Sequence, residues 1–317
     1  MLSREQLLRS AENAGFHRVR ILNTSDCGYP FPAGSLLLCA LSCYRDEADD
    51  QSVVGEPHGL IAPFARRNTY AESVRRLKDV LDNIRQKTGL KRRDARIFCN
   101  SRIPEKELAN RAGLGFYGRN SLIIAPGLGS CFVISGIYLP FDYASDPRLS
   151  EDSAPGACCK SCRACIEACP VGAVSGNGTI DRTQCLQSLS TQLVPFPDRL
   201  KELWQFRIYG CQSCQSVCPF NRDLSMTTGL ETGVIGPSLP LQEILSRKPD
   251  ELRRYFKGTV LDQNWVPMEA IQRNALIAAG NREDPVMLPL LARYRNSGLR
   301  DFRDAAHWAM QVIQSKN

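Results

Sequence analysis

Apolar positions change their period several times along the chain, and each change marks an element. Leu7, Leu8, Ala11 and Ala14 recur at helical spacing in a polar background, which predicts an amphipathic helix over residues 1–20. The run Gly34 to Leu41 is almost wholly apolar and is bounded by turn residues, the pattern of a buried strand. Between Ala71 and Gln86, Val74, Leu77, Leu81 and Ile84 share one face and Arg and Lys take the other. Gly89 just beyond predicts a C-terminal stop for that helix. Ala95 to Cys99 reads as another strand, and Glu105 to Ala112 as a helix ending at Gly113.

Ser121 to Phe141 is 21 residues without a charge, long enough to span a bilayer. Pro126, Gly127, Gly129, Gly136 and Pro140 break it up, so the pattern predicts a buried hairpin in which SLIIA and SCFVISGIYL flank a PGLG turn, and no membrane span. Residues 1–150 therefore read as one α/β (α+β) domain. Residues 238–317 read as helical, with Ala270–Ala279, Val286–Tyr294 and Phe302–Ile313 as short helices resembling a fragment of a helical repeat. So few units cannot bury a core alone, so this tail is expected to pack on the rest. His17, His58 and His307 lack the spacing of a metal site, and His307 is expected to serve packing.

With 317 residues, 43% of them apolar, the chain has material for a large core and is not a disordered tail. The formal charge of +7 is compatible with nucleic-acid binding without demonstrating it. Arg66, Arg67, Arg75, Arg76, Lys78 and Arg85, the run Lys91-Arg92-Arg93, and Arg253-Arg254 are candidate phosphate contacts; a solvated helix face is the competing reading.

Cysteine changes the picture most. Nine of the 14 cysteines lie between Cys158 and Cys218, and the polar N-terminus has no apolar signal core. The expected setting is a reducing cytosol, where clustered cysteines bind metal or do redox chemistry. Residues 151–237 form this module. Cys159, Cys162, Cys165 and Cys169-Pro170 make C-x2-C-x2-C-x3-C-P, the bacterial ferredoxin run, in which the fourth cysteine serves a second cluster. Cys211, Cys214 and Cys218-Pro219 supply three more ligands, and Cys185 between the groups supplies an eighth. Two 4Fe-4S clusters are expected, one on Cys159, Cys162, Cys165 and Cys218, the other on Cys169, Cys185, Cys211 and Cys214. Two zinc sites are the competing reading, but the successive x2, x2 and x3-Pro spacings fit clusters better. Cys158 is expected to be a spectator; Cys27, Cys39, Cys43 and Cys131 are expected to be small buried hydrophobes.

The ferredoxin run, with AGLGFYGRNSL at 112–122, DRTQC at 181–185 and IYGCQSCQSVCPFNR at 208–222, resembles the epoxyqueuosine reductase family over residues 60–225. RNALIAAGN at 273–281 is similar to the start of that family's helical tail. The resemblance implies a cytoplasmic, cobalamin-dependent iron–sulfur oxidoreductase that reduces epoxyqueuosine to queuosine in tRNA. In that chemistry low-potential electrons enter through the clusters, and an acid protonates the opening epoxide. It implies cobalamin contacts at Gly118, Arg119, Asn120, Ile123, Ser130 and Ile134, with Gly113, Gly115, Gly118 and Gly129 allowing close backbone approach. Its partners would be tRNA and an electron donor such as a flavodoxin or ferredoxin, with the chain a monomer.

Two acidic positions depart from the family. Its presumed proton donor, an aspartate, falls on Cys99, or on Asn100 with a one-residue shift, so Cys99 is the candidate catalytic group. An Arg-Asp-Tyr-His segment appears as Arg67-Asn-Thr-Tyr70, whereas Glu105 matches a family glutamate. These changes leave two expectations: a reductase, with its substrate altered or kept, or a two-cluster electron-transfer protein without epoxide-reductase activity.

Overall fold

The structure is a computed structural model that describes residues 2–43, 50–150, 154–222 and 234–316. Helix α1 (Arg4–Asn13) opens on a capping box in which Ser3 and Gln6 bond reciprocally. It stops well short of the expected residue 20. Gly15 turns into the left-handed region, and Arg18–Asn23 leaves as strand β1, with Val19 and Ile21 facing inward. Strand β2 (Ser35–Ser42) is buried at every position because it lies inside the sheet and is covered on both faces. Strand β3 (His58–Ile61) leaves this layer. Helix α2 (Thr69–Thr88) ends at Gly89 in the left-handed conformation, as the pattern predicts. Strand β4 (Arg96–Cys99) and helix α3 (Glu105–Arg111) also stand where expected.

The 21-residue uncharged stretch does not form the expected hairpin. Strand β5 (Phe116–Tyr117) pairs with β6 (Ile123–Ile124), while β7 (Phe132–Leu139) pairs with β2 on one side and β4 on the other. Both edges of β7 are thus occupied. Between β6 and β7 the PGLG turn closes on itself, with Leu128 and Gly129 N–H donating to the Ala125 carbonyl. The resulting four-stranded sheet has the order β1-β2-β7-β4 and is antiparallel throughout. Its residues alternate between two cores. Leu37, Cys39 and Leu41 meet Leu7 of α1 and Leu77, Val80 and Ile84 of α2; Leu36, Leu38 and Ala40 meet Leu108 and Ala109 of α3. No described helix is long and apolar enough to cross a membrane.

Glu72 ties α2 to α1 through arginine. Arg75 and Arg76 both donate to its carboxylate, and Arg76 also donates to the carbonyls of Ala14 and Gly15. The Arg75 hydrogen bonds first, then Arg76, hold the Glu72 carboxyl down at about 2, against an ordinary 4.5. A depressed carboxyl stabilises the fold fully above its ordinary value and loses that contribution as pH falls from about 4.5 to about 2. Glu72→Gln is expected to flatten the acid loss of stability in that window. Urea midpoints at neutral pH and near pH 3 measure it, and equal acid losses in both proteins would count against the linkage.

The second half of the chain builds a different body. Helices α4 (Ala164–Glu167), α5 (Leu186–Leu189) and α6 (Asp198–Trp204), strand β8 (Arg207–Tyr209) and helix α7 (Ser213–Ser216) are short. β3 joins this body between β8 and β9 (Ser238–Pro240). The approach is so close that a Cβ on Gly59 would meet Ile208 Cγ1 at 2.5 Å, which explains a glycine inside a strand.

The tail is α8 (Leu241–Ser246), α9 (Pro249–Tyr255), α10 (Met268–Arg282), α11 (Leu288–Tyr294) and α12 (Arg300–Lys316). It does pack on the rest: Ile61, Leu186, Trp204 and Ile208 share one core with Ile271, Leu276 and Phe302. Helix α10 is its axis, buried from Ala270 through Gly280, Arg273 and Asn274 included. His307 corrects the packing expectation: it is exposed on α12, and its neighbours Ala306 and Trp308 are the buried positions.

Candidate functional site

The eight ferredoxin-type cysteines fall into two fours. Cys159, Cys162, Cys165 and Cys218 line one small cavity with Arg119, Asn120, Ile124 and Phe220. Cys169, Cys185, Cys211 and Cys214 line a second, much larger one of about 640 Å³. The short turns α4 and α7 each carry a middle cysteine of a run, Cys165 and Cys214. Burial raises the Cys165 thiol, and the groups that raise it further are Cys159, Cys218 and Cys162. Burial likewise pushes Cys214 up to about 12, with Cys211, Cys185, Cys165 and Cys169 adding to it. The turns α4 and α7, which carry Cys165 and Cys214, contact each other, so the two fours adjoin.

Both sets ask for a cationic inorganic core. Four thiols around one cavity lose their protons together only when bound metal compensates the charge. Arg119 adds a second sign at the first set. Its two terminal nitrogens donate to the carbonyls of Gly176 and Lys160, at 3.2 and 2.8 Å. Its Nε is buried with no hydrogen-bond partner among the described residues, and the residue lines the first cavity.

The large cavity has the size of a cofactor site. Apart from its cysteines the wall holds Phe64, Tyr70, Phe132, Asn120, Ser130, Gln187, Gln215 and Arg222. One corner is braced by three polar residues. Ser130 N–H donates to Asn221 Oδ1 at 2.8 Å, Asn221 Nδ2 donates to the Gln215 carbonyl at 2.8 Å, and Gln215 Nε2 donates to the Ser130 carbonyl at 3.1 Å. This brace joins the PGLG turn to α7 and so joins the first half of the chain to the cysteine module. Sequence reasoning missed Gln215 and Asn221; the asparagine after Cys218-Pro219-Phe220 was the available signal.

Among the six residues expected to touch cobalamin, Asn120 and Ser130 line the large cavity. Arg119 faces the first cysteine set instead. Ile123 is buried in the α3-side core, and Ile134 packs against that core. Gly118 is a glycine for internal reasons, since a Cβ there would meet Ile124 Cδ1 at 2.6 Å and Asn120 Oδ1 at 2.8 Å. Gly113 and Gly115 likewise make room for the chain itself, against Pro147 and Ile123. Cys27 and Cys39 are buried as expected, whereas Cys43 and the half-buried Cys131 also line the large cavity.

Cys99 lies behind the wall. Its Sγ reaches the backbone carbonyl of Tyr70 at 3.9 Å, and the Tyr70 side chain lines the cavity. Burial first and Glu105 next push the Cys99 thiol up to about 12, so it keeps its proton at neutral pH. Asn100 is exposed and takes a left-handed conformation. Glu105 organises this turn by accepting from the N–H groups of Asn100 and Ser101, at 3.0 and 2.9 Å, and from the Ser101 hydroxyl.

Much of the candidate basic surface is spent internally. Arg66 is buried and donates to the Ile61 carbonyl; Arg75 and Arg76 hold Glu72; Arg85 pairs with Asp82. Lys78, Lys91, Arg92 and Arg93 remain exposed.

Residues 158–221 match the model of the 4Fe-4S double cluster binding domain. The epoxyqueuosine reductase of Burkholderia pseudomallei is 33% identical over 268 residues, covering 79% of this chain and 63% of that protein. The chain belongs to the epoxyqueuosine reductase family. The epoxyqueuosine reductase of Bacillus subtilis is 27% identical over 289 residues, which is 89% of this chain and 72% of that one. The fold agrees. The solved epoxyqueuosine reductase of Streptococcus thermophilus superposes with a TM-score of 0.84 at 20% identity, over 100% of this chain and 92% of that one. A second, solved with a tRNA-Tyr epoxyqueuosine-modified stem loop, superposes with a TM-score of 0.82 at 22% identity, over 98% and 90%. Family membership accounts for the double-cluster module, and the mixed α/β layer with its helical tail is the family fold.

Proposed function

We propose that this chain is a cobalamin-dependent iron–sulfur reductase that converts epoxyqueuosine in tRNA to queuosine. One observation carries the reading: the second cysteine set is itself part of the wall of the large cavity, so an electron-carrying centre would abut the cofactor site with no protein layer between. The two cysteine sets are read as the ligands of two 4Fe-4S clusters, with Cys169 and Cys218 exchanged between the runs. Asn120 and Ser130 would hold the corrinoid, backed by the Asn221–Gln215 brace. Cobalamin, when bound, supplies the two-electron reduction at an epoxide carbon.

The chain's own part is to bring the reactants together in an enclosed site and to admit the two protons with which the epoxide oxygen leaves as water, the first of them at ring opening. Tyr70 is the phenol among the lining residues, and burial keeps it protonated. Cys99, one contact behind, keeps its proton as well. Cys99→Ala is therefore expected to leave turnover within about threefold, whereas loss of a general acid costs about a hundredfold or more. A hundredfold loss with intact clusters would return the donor role to Cys99.

The partners on this reading are tRNA and a low-potential carrier such as a flavodoxin or ferredoxin, with the chain acting as a cytosolic monomer. Anaerobic, iron-loaded protein given cobalamin, a low-potential donor and tRNA carrying epoxyqueuosine should yield queuosine in nucleoside mass spectra. The replacement of the family's acidic residue favours a second reading, a two-cluster electron carrier. Reducible clusters with no cobalamin uptake and no queuosine would select it.

A further inference from the structure

Among the three tryptophans, Trp204 is fully buried and Trp308 nearly so, but Trp265 is 48% exposed. An indole left in water needs a reason, and this one is held there. The turn that carries it is closed by Gln263 N–H on the Val260 carbonyl and Val266 N–H on the Gln263 carbonyl. Arg253 clamps the same turn from below, donating to the carbonyls of Gln263 and Val266 at 2.9 and 3.0 Å. Val266 is buried immediately after Trp265, which anchors the base of the ring. The ring therefore has a fixed outward position, not a frayed one.

That position adjoins the wall of the large cavity. Trp265 meets Tyr70 edge to face, with ring centroids 6.2 Å apart and planes at 80°, and Tyr70 lines the cavity. Asn68 N–H bonds the Gly258 carbonyl, which fastens the tail segment carrying Trp265 to the start of α2. The surroundings are polar: Asn264, Lys257 and Arg254 are exposed, and Asp262 and Gln263 are half-buried. An exposed aromatic face carried on a segment of mostly polar and basic residues does not match the contiguous apolar patch of a protein interface. It matches a flat, weakly polar surface joined to phosphate, which is an unpaired nucleotide.

We propose that Trp265 is a stacking platform at the cavity mouth, on which one unpaired base of the RNA substrate rests while its modified neighbour enters. The inference rests on the tRNA reading above and adds a positioning residue to it. Stacking suits this task because every base offers a π-face, so one ring can orient a loop without reading its sequence.

The test uses the iron-loaded full chain and two RNA probes of equal length and charge, a stem closed by a seven-nucleotide anticodon-type loop and a fully paired duplex. Affinity comes from anisotropy of labelled RNA at two salt concentrations; contact comes from quenching of tryptophan emission. Trp265→Ala is expected to weaken stem-loop binding roughly tenfold or more while leaving the duplex unaffected. Trp265→Phe should recover affinity to within about threefold, since it restores a ring, and should abolish the loop-induced quenching. In turnover the alanine variant should raise KM with little change in kcat. Equal stem-loop affinity in wild type and Trp265→Ala overturns the stacking role and leaves the tRNA reading standing. An equal loss for loop and duplex also overturns it, because base stacking cannot act on a closed helix. If wild-type protein binds neither probe at either salt, the tRNA reading falls and takes this inference with it.

Discussion

Serine at Cys214 is expected to cost the protein one cluster and spare the other. Reconstituted wild type should carry about eight irons per chain and Cys214→Ser about four, with turnover lost because the remaining centre does not border the large cavity. The decisive variant is double. If Cys169 and Cys214 serve the same cluster, Cys169→Ser/Cys214→Ser should still hold about four irons. If the runs were not exchanged, the two substitutions would strike different clusters and iron would fall close to zero. Iron and acid-labile sulfide analysis, with low-temperature electron paramagnetic resonance of the reduced protein, separates these outcomes. The cavity walls support the exchanged arrangement, since Cys169 stands with Cys211 and Cys214 while Cys218 stands with Cys159 and Cys162.

The second large effect lies at Arg273, which is 1% exposed on α10. Its guanidinium donates to the carbonyls of Val194 and Leu189, at 2.9 and 3.2 Å, and lies 3.9 Å from the centre of the Phe196 ring. Burial lowers it to about 10, so the charge persists at neutral pH. Asn274 reaches in beside it to the carbonyls of Ser190 and Ile208. Together they satisfy the backbone of the segment that follows Cys185. Arg273→Met keeps much of the volume but strands two carbonyls and removes the ring contact, for a loss of about 2–4 kcal/mol. A lowered urea midpoint of the anaerobic, cluster-loaded protein would show it, and Arg273→Lys should recover little, because an ammonium lacks the planar fork. A midpoint unchanged in both variants would mean that the segment is held by its apolar contacts alone.

Local patterns were legible wherever one physical rule governed them. The apolar run at β2, the one-faced stripe of α2 with its stop at Gly89, and the amphipathic last helix of the tail needed only periodicity and end signals. The cysteine spacings were legible for a different reason: a cluster ligand set is defined by residue type and close chain spacing, which a linear text preserves. The failures have two causes. The supposed hairpin broke because β7 found better partners in β2 and β4, and a strand's apolar pattern does not name its neighbour. The first helix ended early because Gly15 and the Val19–Ile21 alternation outweighed a continuing helical pattern.

The candidate site divides along the same line. Residue chemistry alone set out eight cysteines, the likeness to the family and the replaced acid at Cys99. Tertiary structure decided which four sulfurs share a wall, that Asn120 and Ser130 border the large cavity while Ile123 and Ile134 do not, and that Trp265 packs edge to face on Tyr70 of its wall. Ligand spacing acts over a few residues and survives in one dimension. A cavity wall is assembled from segments as far apart as Cys43, Asn120 and Arg222, and only packing and long-range strand pairing bring them together.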